Sequence, residues 1–181
     1  TGIQSAAAIV GLDGPYAITW MSEGQDGSGY GIYGQRHAAT GAKTLAEFRV
    51  NAVTAQSQTF PAVASLGAGR WVAVWQSYAE DGSGAGIFGR IYAANGTAGP
   101  VFRVNASVLG DQTRPVVTGL TNGGFVVAFG SSALATTKTA LFIRRFGSTG
   151  APLAVESRVD TAVGAHADLP SIAGLTDGGF V

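Results

Sequence analysis

Apolar and polar positions recur along this chain in a fixed order. Gln58-Thr59-Phe60-Pro61-Ala62-Val63-Ala64-Ser65-Leu66 returns as Gln112-Thr113-Arg114-Pro115-Val116-Val117-Thr118-Gly119-Leu120, with the two leucines 54 residues apart. Upstream the block reads Gln4-Ser5-Ala6-Ala7-Ala8-Ile9-Val10-Gly11-Leu12, and Leu169-Pro170-Ser171-Ile172-Ala173-Gly174-Leu175 opens a fourth copy. A period of this length is the signature of stacked or radially arranged units.

Three further blocks follow each opening. The second is Tyr16-Ala17-Ile18-Thr19-Trp20, Trp71-Val72-Ala73-Val74-Trp75 and Phe125-Val126-Val127-Ala128-Phe129. The third is Gly31-Ile32-Tyr33-Gly34-Gln35-Arg36, Gly86-Ile87-Phe88-Gly89-Arg90-Ile91 and, more loosely, Leu141-Phe142-Ile143-Arg144-Arg145-Phe146. The fourth is Phe48-Arg49-Val50-Asn51, Phe102-Arg103-Val104-Asn105 and Ser157-Arg158-Val159-Asp160. Between the third and fourth blocks stand Thr40-Gly41, Asn95-Gly96 and Thr149-Gly150, where glycine supplies the positive φ of a tight hairpin. Each unit therefore predicts four short antiparallel strands.

The pattern predicts an all-β fold, a β-propeller-like array of four-stranded antiparallel blades, with a β-trefoil as the alternative. Runs such as Trp71 to Trp75 are apolar at consecutive positions, so both faces of the strand need cover, as stacked blades provide. A trefoil ends after three units, whereas a fourth begins here. The chain divides into units 4–57, 58–111 and 112–166 and a truncated fourth over 167–181, one array read as a fragment of a larger protein. Three and a fraction blades do not close a ring, so the remaining blades are expected from the same chain or from another subunit.

Composition narrows the partners. Eleven Lys and Arg balance eleven Asp and Glu, which leaves no basic excess to neutralise phosphates, so nucleic acid is not an expected partner. Charged residues make up 12% of the chain, about half the usual share, and 46% is hydrophobic, so the chain is not disordered. Gly, Ser, Asn or charge interrupts every apolar stretch before the roughly 18 residues that a membrane span needs. Cysteine is absent, which excludes disulfides and thiolate chemistry.

The succession Pro-x-Val-Ala-x-Leu, Gly-Gly-Phe-Val-Val, Asp-Gly-Ser-Gly-x-Gly-Ile-Tyr and Phe-Arg-Val-Asn resembles the tandem repeats of large bacterial secreted proteins of the hemolysin-type calcium-binding and adhesin-like kind. It runs through Pro61 to Leu66, Asp81 to Phe88, Phe102 to Asn105 and their copies. The resemblance implies an extracellular or cell-surface setting and an adhesive or scaffolding role. The Gly-Gly-x-Gly-x-Asp calcium repeat of that class is absent from this sequence.

Candidate chemistry gathers at the loops between second and third strands. Asp26-Gly27-Ser28-Gly29 and Asp81-Gly82-Ser83-Gly84 read first as turns, with Asp26 and Asp81 as candidate Ca²⁺ ligands. Calcium takes six to eight oxygens, and only Glu23, Gln25 and Glu80 stand near them in sequence. No cofactor is required by the pattern. Gly29-x-Gly31-x-x-Gly34 and Gly84-x-Gly86-x-x-Gly89 spell a dinucleotide fingerprint, but a strand follows where that chemistry needs a helix. Tyr30, Tyr33 and Tyr78 are candidate glycan-contacting rings, and Trp20, Trp75 and Phe129 read as inter-blade core. His37 aligns with Tyr92 and Phe146 as a packing residue, and His166 precedes the fourth copy.

No nucleophile elbow, zinc helix or carboxylate pair stands out. The sequence is therefore read as a non-enzymatic extracellular binding or adhesion scaffold contacting a glycan or protein. A structural subunit of a surface layer or filament is one alternative. A propeller hydrolase or lyase with catalytic residues outside this segment is the other.

Overall fold

In the computed structural model, residues 2–132, 139–160 and 170–181 are described, and they form strands and turns. The first sheet comprises β1 (Gln4–Gly11), β2 (Tyr16–Glu23), β3 (Tyr30–His37) and β4 (Phe48–Arg49). The second holds β5 (Gln58–Gly67), β6 (Arg70–Tyr78), β7 (Ala85–Tyr92) and β8 (Ala98–Arg103). The third holds β9 (Gln112–Gly119), β10 (Phe125–Ser131), β11 (Ala140–Phe146) and β12 (Ser157–Arg158). Within each sheet the strands lie side by side in chain order, and every pairing is antiparallel. His166 and Leu169 lie outside the described residues.

Successive sheets stack face to face, with β1 packed against β5 and β5 against β9 as the innermost strands. The chain is thus a β-propeller-like array of four-stranded antiparallel blades. Alternation along the second strand explains why its run is apolar throughout: Trp71, Ala73 and Trp75 join the cluster with the first sheet, and Val72 and Val74 join the cluster with the third. All five are fully buried. Residues Gly174 to Phe180 form a tight hairpin beside the third sheet, closed by a Gly174–Phe180 bridge and a Leu175 to Gly179 hydrogen bond.

Where inner strands approach most closely, a side chain has no room. A Cβ on Gly119 would come within 1.9 Å of the Ser65 carbonyl oxygen, and one on Gly174 within 2.6 Å of the Gly119 carbonyl oxygen. The glycines therefore let the inner strands of neighbouring sheets approach at this end.

The third sheet ends differently from the others. Asp160 accepts from Leu141 N–H at 2.8 Å and from the Arg158 guanidinium at 2.8 and 3.1 Å. Those hydrogen bonds, Arg158 first, hold its carboxyl down to about 2. A lowered folded-state value means that the stabilisation is complete above the ordinary carboxylate pKa and fades as pH falls through about 2. Titration followed by ¹³C NMR is expected to show the Asp160 carboxyl midpoint there, and a midpoint near 4 would contradict the pairing.

Candidate functional site

The innermost strands share a local distortion. In β1, β5 and β9 the ladder slips, between Ser5 and Ala8, between Thr59 and Ala62, and between Thr113 and Val116. At each slip one non-glycine residue takes a left-handed backbone: Ala6 at φ 50°, Phe60 at 52° and Arg114 at 52°. Such bulges re-aim side chains, and strain of this kind collects at ligand sites.

The three bulges surround a depression of about 490 Å³ at one end of the inner strands, lined by Ala6, Phe60, Pro61, Arg114, Pro115 and Pro170 among others. Its lining is mainly apolar. Phe60 is 40% exposed, and the Arg114 guanidinium lies 5.7 Å from the centre of its ring. Arg114 N–H donates to the Gln76 side-chain oxygen at 3.2 Å, and Phe60 N–H reaches Met21 Sδ at 3.2 Å. An aromatic face beside a fork of N–H donors can stack on a ring and bond its hydroxyls.

The Asp-Gly-Ser-Gly loops stand at this same end, and their carboxylates are tethered. Asp81 Oδ1 caps the Ser83 N–H at 3.3 Å, and Oδ2 accepts from Asn105 Nδ2 at 2.9 Å. Asn105 is fully buried; its Oδ1 accepts from Ile87 N–H at 2.8 Å, and its Nδ2 also donates to Ser107 O and to Gln112 Oε1. The first sheet repeats the arrangement with Asp26, Asn51 and Gln58, the Asn51 to Asp26 contact lengthening to 3.5 Å. Each Asn–Gln bond crosses from one sheet to the next. A Cβ on Gly86 would lie 2.5 Å from Asp81 Oδ2, so this glycine, two residues past the Asp-Gly-Ser-Gly turn, makes room for the carboxylate. Among the described residues no three acidic or histidine side chains come together in a metal-binding group.

The candidate tyrosines are dispersed. Tyr33 is buried within the first sheet opposite Trp20, and burial, then the Asp26 carboxylate, raise its phenol pKa. Tyr30 begins β3 half-buried, and Tyr78 ends β6 exposed in the next sheet. Trp75 and Phe129 are fully buried between sheets, and Trp20 is half-buried. His37 stacks on Tyr16, as the packing alignment predicts. The residues missed in sequence are Phe60 and Arg114 at the axis, and Asn51, Asn105, Gln58 and Gln112 between the sheets.

Comparison with known proteins places this architecture. No protein-family model matches the chain, and no curated protein sequence matches it. Solved structures do. An α-L-arabinanase from Penicillium chrysogenum, solved with arabinobiose, is 17% identical with a TM-score of 0.57 over 85% of this chain and 47% of its own. An α-L-arabinofuranosidase from Lactobacillus brevis is 11% identical with a TM-score of 0.55, covering 83% and 55%. An endo-1,4-β-xylanase from Bacteroides thetaiotaomicron is 11% identical with a TM-score of 0.51, covering 89% and 60%. The chain spans about half the length of these structures. At such identity the likeness shows the fold.

Two sequence expectations are corrected by these neighbours. The chain was expected to be a non-enzymatic adhesion scaffold, whereas the structures sharing its fold are carbohydrate-cleaving enzymes. The expectation of no enzymatic role rested on missing motifs within one segment. A radial fold surrounds its channel with several blades, so the lack of a carboxylate motif in a few of them does not argue against catalysis. Among the described residues no helix is long and apolar enough to cross a membrane.

Proposed function

We propose that this chain is part of a propeller carbohydrate-active enzyme, a glycoside hydrolase or lyase whose catalytic residues lie outside this segment. The observation that carries this reading is the axial depression, where the strained bulges present Phe60 and Arg114 side by side. Phe60 supplies the apolar face on which a sugar ring stacks, and Arg114 donates to its oxygens. Glycoside hydrolysis uses two carboxylates flanking the scissile bond. Ala6, Phe60 and Arg114 occupy the three bulges seen here, so other blades supply the acids and these blades supply binding. The repeat's resemblance to secreted bacterial proteins supports an extracellular setting, where polysaccharide is met.

Calorimetry of the 181-residue chain with arabino- and xylo-oligosaccharides tests the reading. Phe60→Ala is expected to weaken binding about tenfold or more, the equivalent of roughly 1.4 kcal/mol. Affinity untouched by this substitution, or none for any of these sugars, would overturn it.

A further inference from the structure

Two devices join neighbouring sheets, and both recur. At the first junction Phe48 leans on the stacked Trp71–Tyr92 pair, 6.4 Å and 5.5 Å from the two ring centres. At the second, Phe102 leans on the stacked Phe125–Phe146 pair at 6.1 Å and 5.6 Å. The second device is the buried bond from Asn51 to Gln58 and from Asn105 to Gln112. Ring and amide come from one tetrapeptide, Phe-Arg-Val-Asn, so a single strand end operates both.

The first sheet presents the receiving half of each device. Tyr16 and His37 stack at 4.9 Å and 3°, as their counterparts do, but no third ring lies on them among the described residues. Gln4 stands where Gln58 and Gln112 stand, and it is exposed. Around them Ile9 is 66% exposed and Tyr16, Ile18 and Trp20 are half-buried, whereas Trp71, Ala73 and Trp75 are fully buried at the equivalent positions. A terminal unit that ends an array carries a polar outer face. This face is aromatic and aliphatic.

We infer that this face of the first sheet receives the last strand of another blade of the same repeat, one ending in Phe-Arg-Val-Asn. Its phenylalanine covers the Tyr16–His37 stack, and its asparagine bonds Gln4. A second copy of this chain is not the donor. Its own Phe48 and Phe102 are engaged, and its third sheet offers Ser157, which has no ring, and Asp160, held by Arg158 and Leu141. The junction lacks one bond found internally: Arg90 and Arg144 reach back to Val50 O and Val104 O, but Gln35 holds that place and donates to Leu45 O.

The test extends the chain at its amino end with a duplicate of residues 4–57 joined directly to Gln4, reproducing the internal spacing. Trp20→Phe in the duplicate leaves the original Trp20 as the tryptophan not already fully buried. Acrylamide quenching of that tryptophan is expected to be lost, and Phe48→Ala with Asn51→Ala in the duplicate is expected to restore it. Unchanged quenching in a folded extended protein overturns the inference. So does a duplicate that stays unfolded on a folded chain, because the face then receives nothing. A parent chain that is already dimeric with Trp20 shielded overturns it as well, since the occupant is then a second copy.

Discussion

Trp75→Ala is expected to lower the unfolding free energy by about 3–5 kcal/mol, the range for removing a large aromatic from a core. Trp75 is fully buried between the first two sheets with Trp71, Ala73 and Phe88 in the same cluster. Its indole Nε1 makes no hydrogen bond, so its contribution is apolar contact alone. Alanine leaves a cavity that the β6 ladder, paired on both sides, cannot collapse to fill. Urea unfolding followed by circular dichroism checks this, with Tyr78→Ala at the exposed end of the same strand expected within about 0.5 kcal/mol of the parent. Equal effects at the two positions would place the cluster outside the core.

Asn105→Ala is expected to be comparably damaging through a different mechanism. It strips partners from Ile87 N–H, Gln112 Oε1 and Asp81 Oδ2, and each buried polar group left unmet costs about 1–3 kcal/mol. Asn105→Asp distinguishes this network from simple packing. Aspartate keeps the shape and the bond from Ile87 N–H, yet it cannot donate, and it sets a second carboxylate beside Asp81. The isosteric change is therefore expected to destabilise nearly as much as alanine and to recover partly at acid pH, where one carboxyl protonates. Thermal melts of both variants between neutral and acid pH measure it; an Asp variant as stable as the parent would remove the network from the account.

The architecture was largely legible because periodicity reports what a repeated packing environment demands. Trp71 to Trp75 could stay apolar at every position only if covered on both faces, and the two clusters do that. The site was less legible. Asn51, Asn105, Gln58 and Gln112 stood in the recurring blocks, and a polar residue fixed within apolar surroundings signals a buried partner; identifying that partner requires knowing which strand ends meet across sheets. Asp26 and Asp81 drew attention as acids, although their oxygens are committed to turn and asparagine. Phe60 and Arg114 differ from Ala6 at the same place in the period, and variation within a constant frame is where recognition is expected. Their left-handed backbones have no composition signal, because neither residue type favours that region.

The glycines at the inner-strand contacts set how closely neighbouring sheets approach. With no side chain at Gly119 or Gly174, the backbones of adjoining inner strands touch, while Phe60 and Arg114 line the depression at the other end of the same strands. The wedge angle between blades is thereby set by the residue nearest the hub. A bulkier residue there would hold the inner strands apart and narrow each wedge, and more blades would be needed to complete the circle.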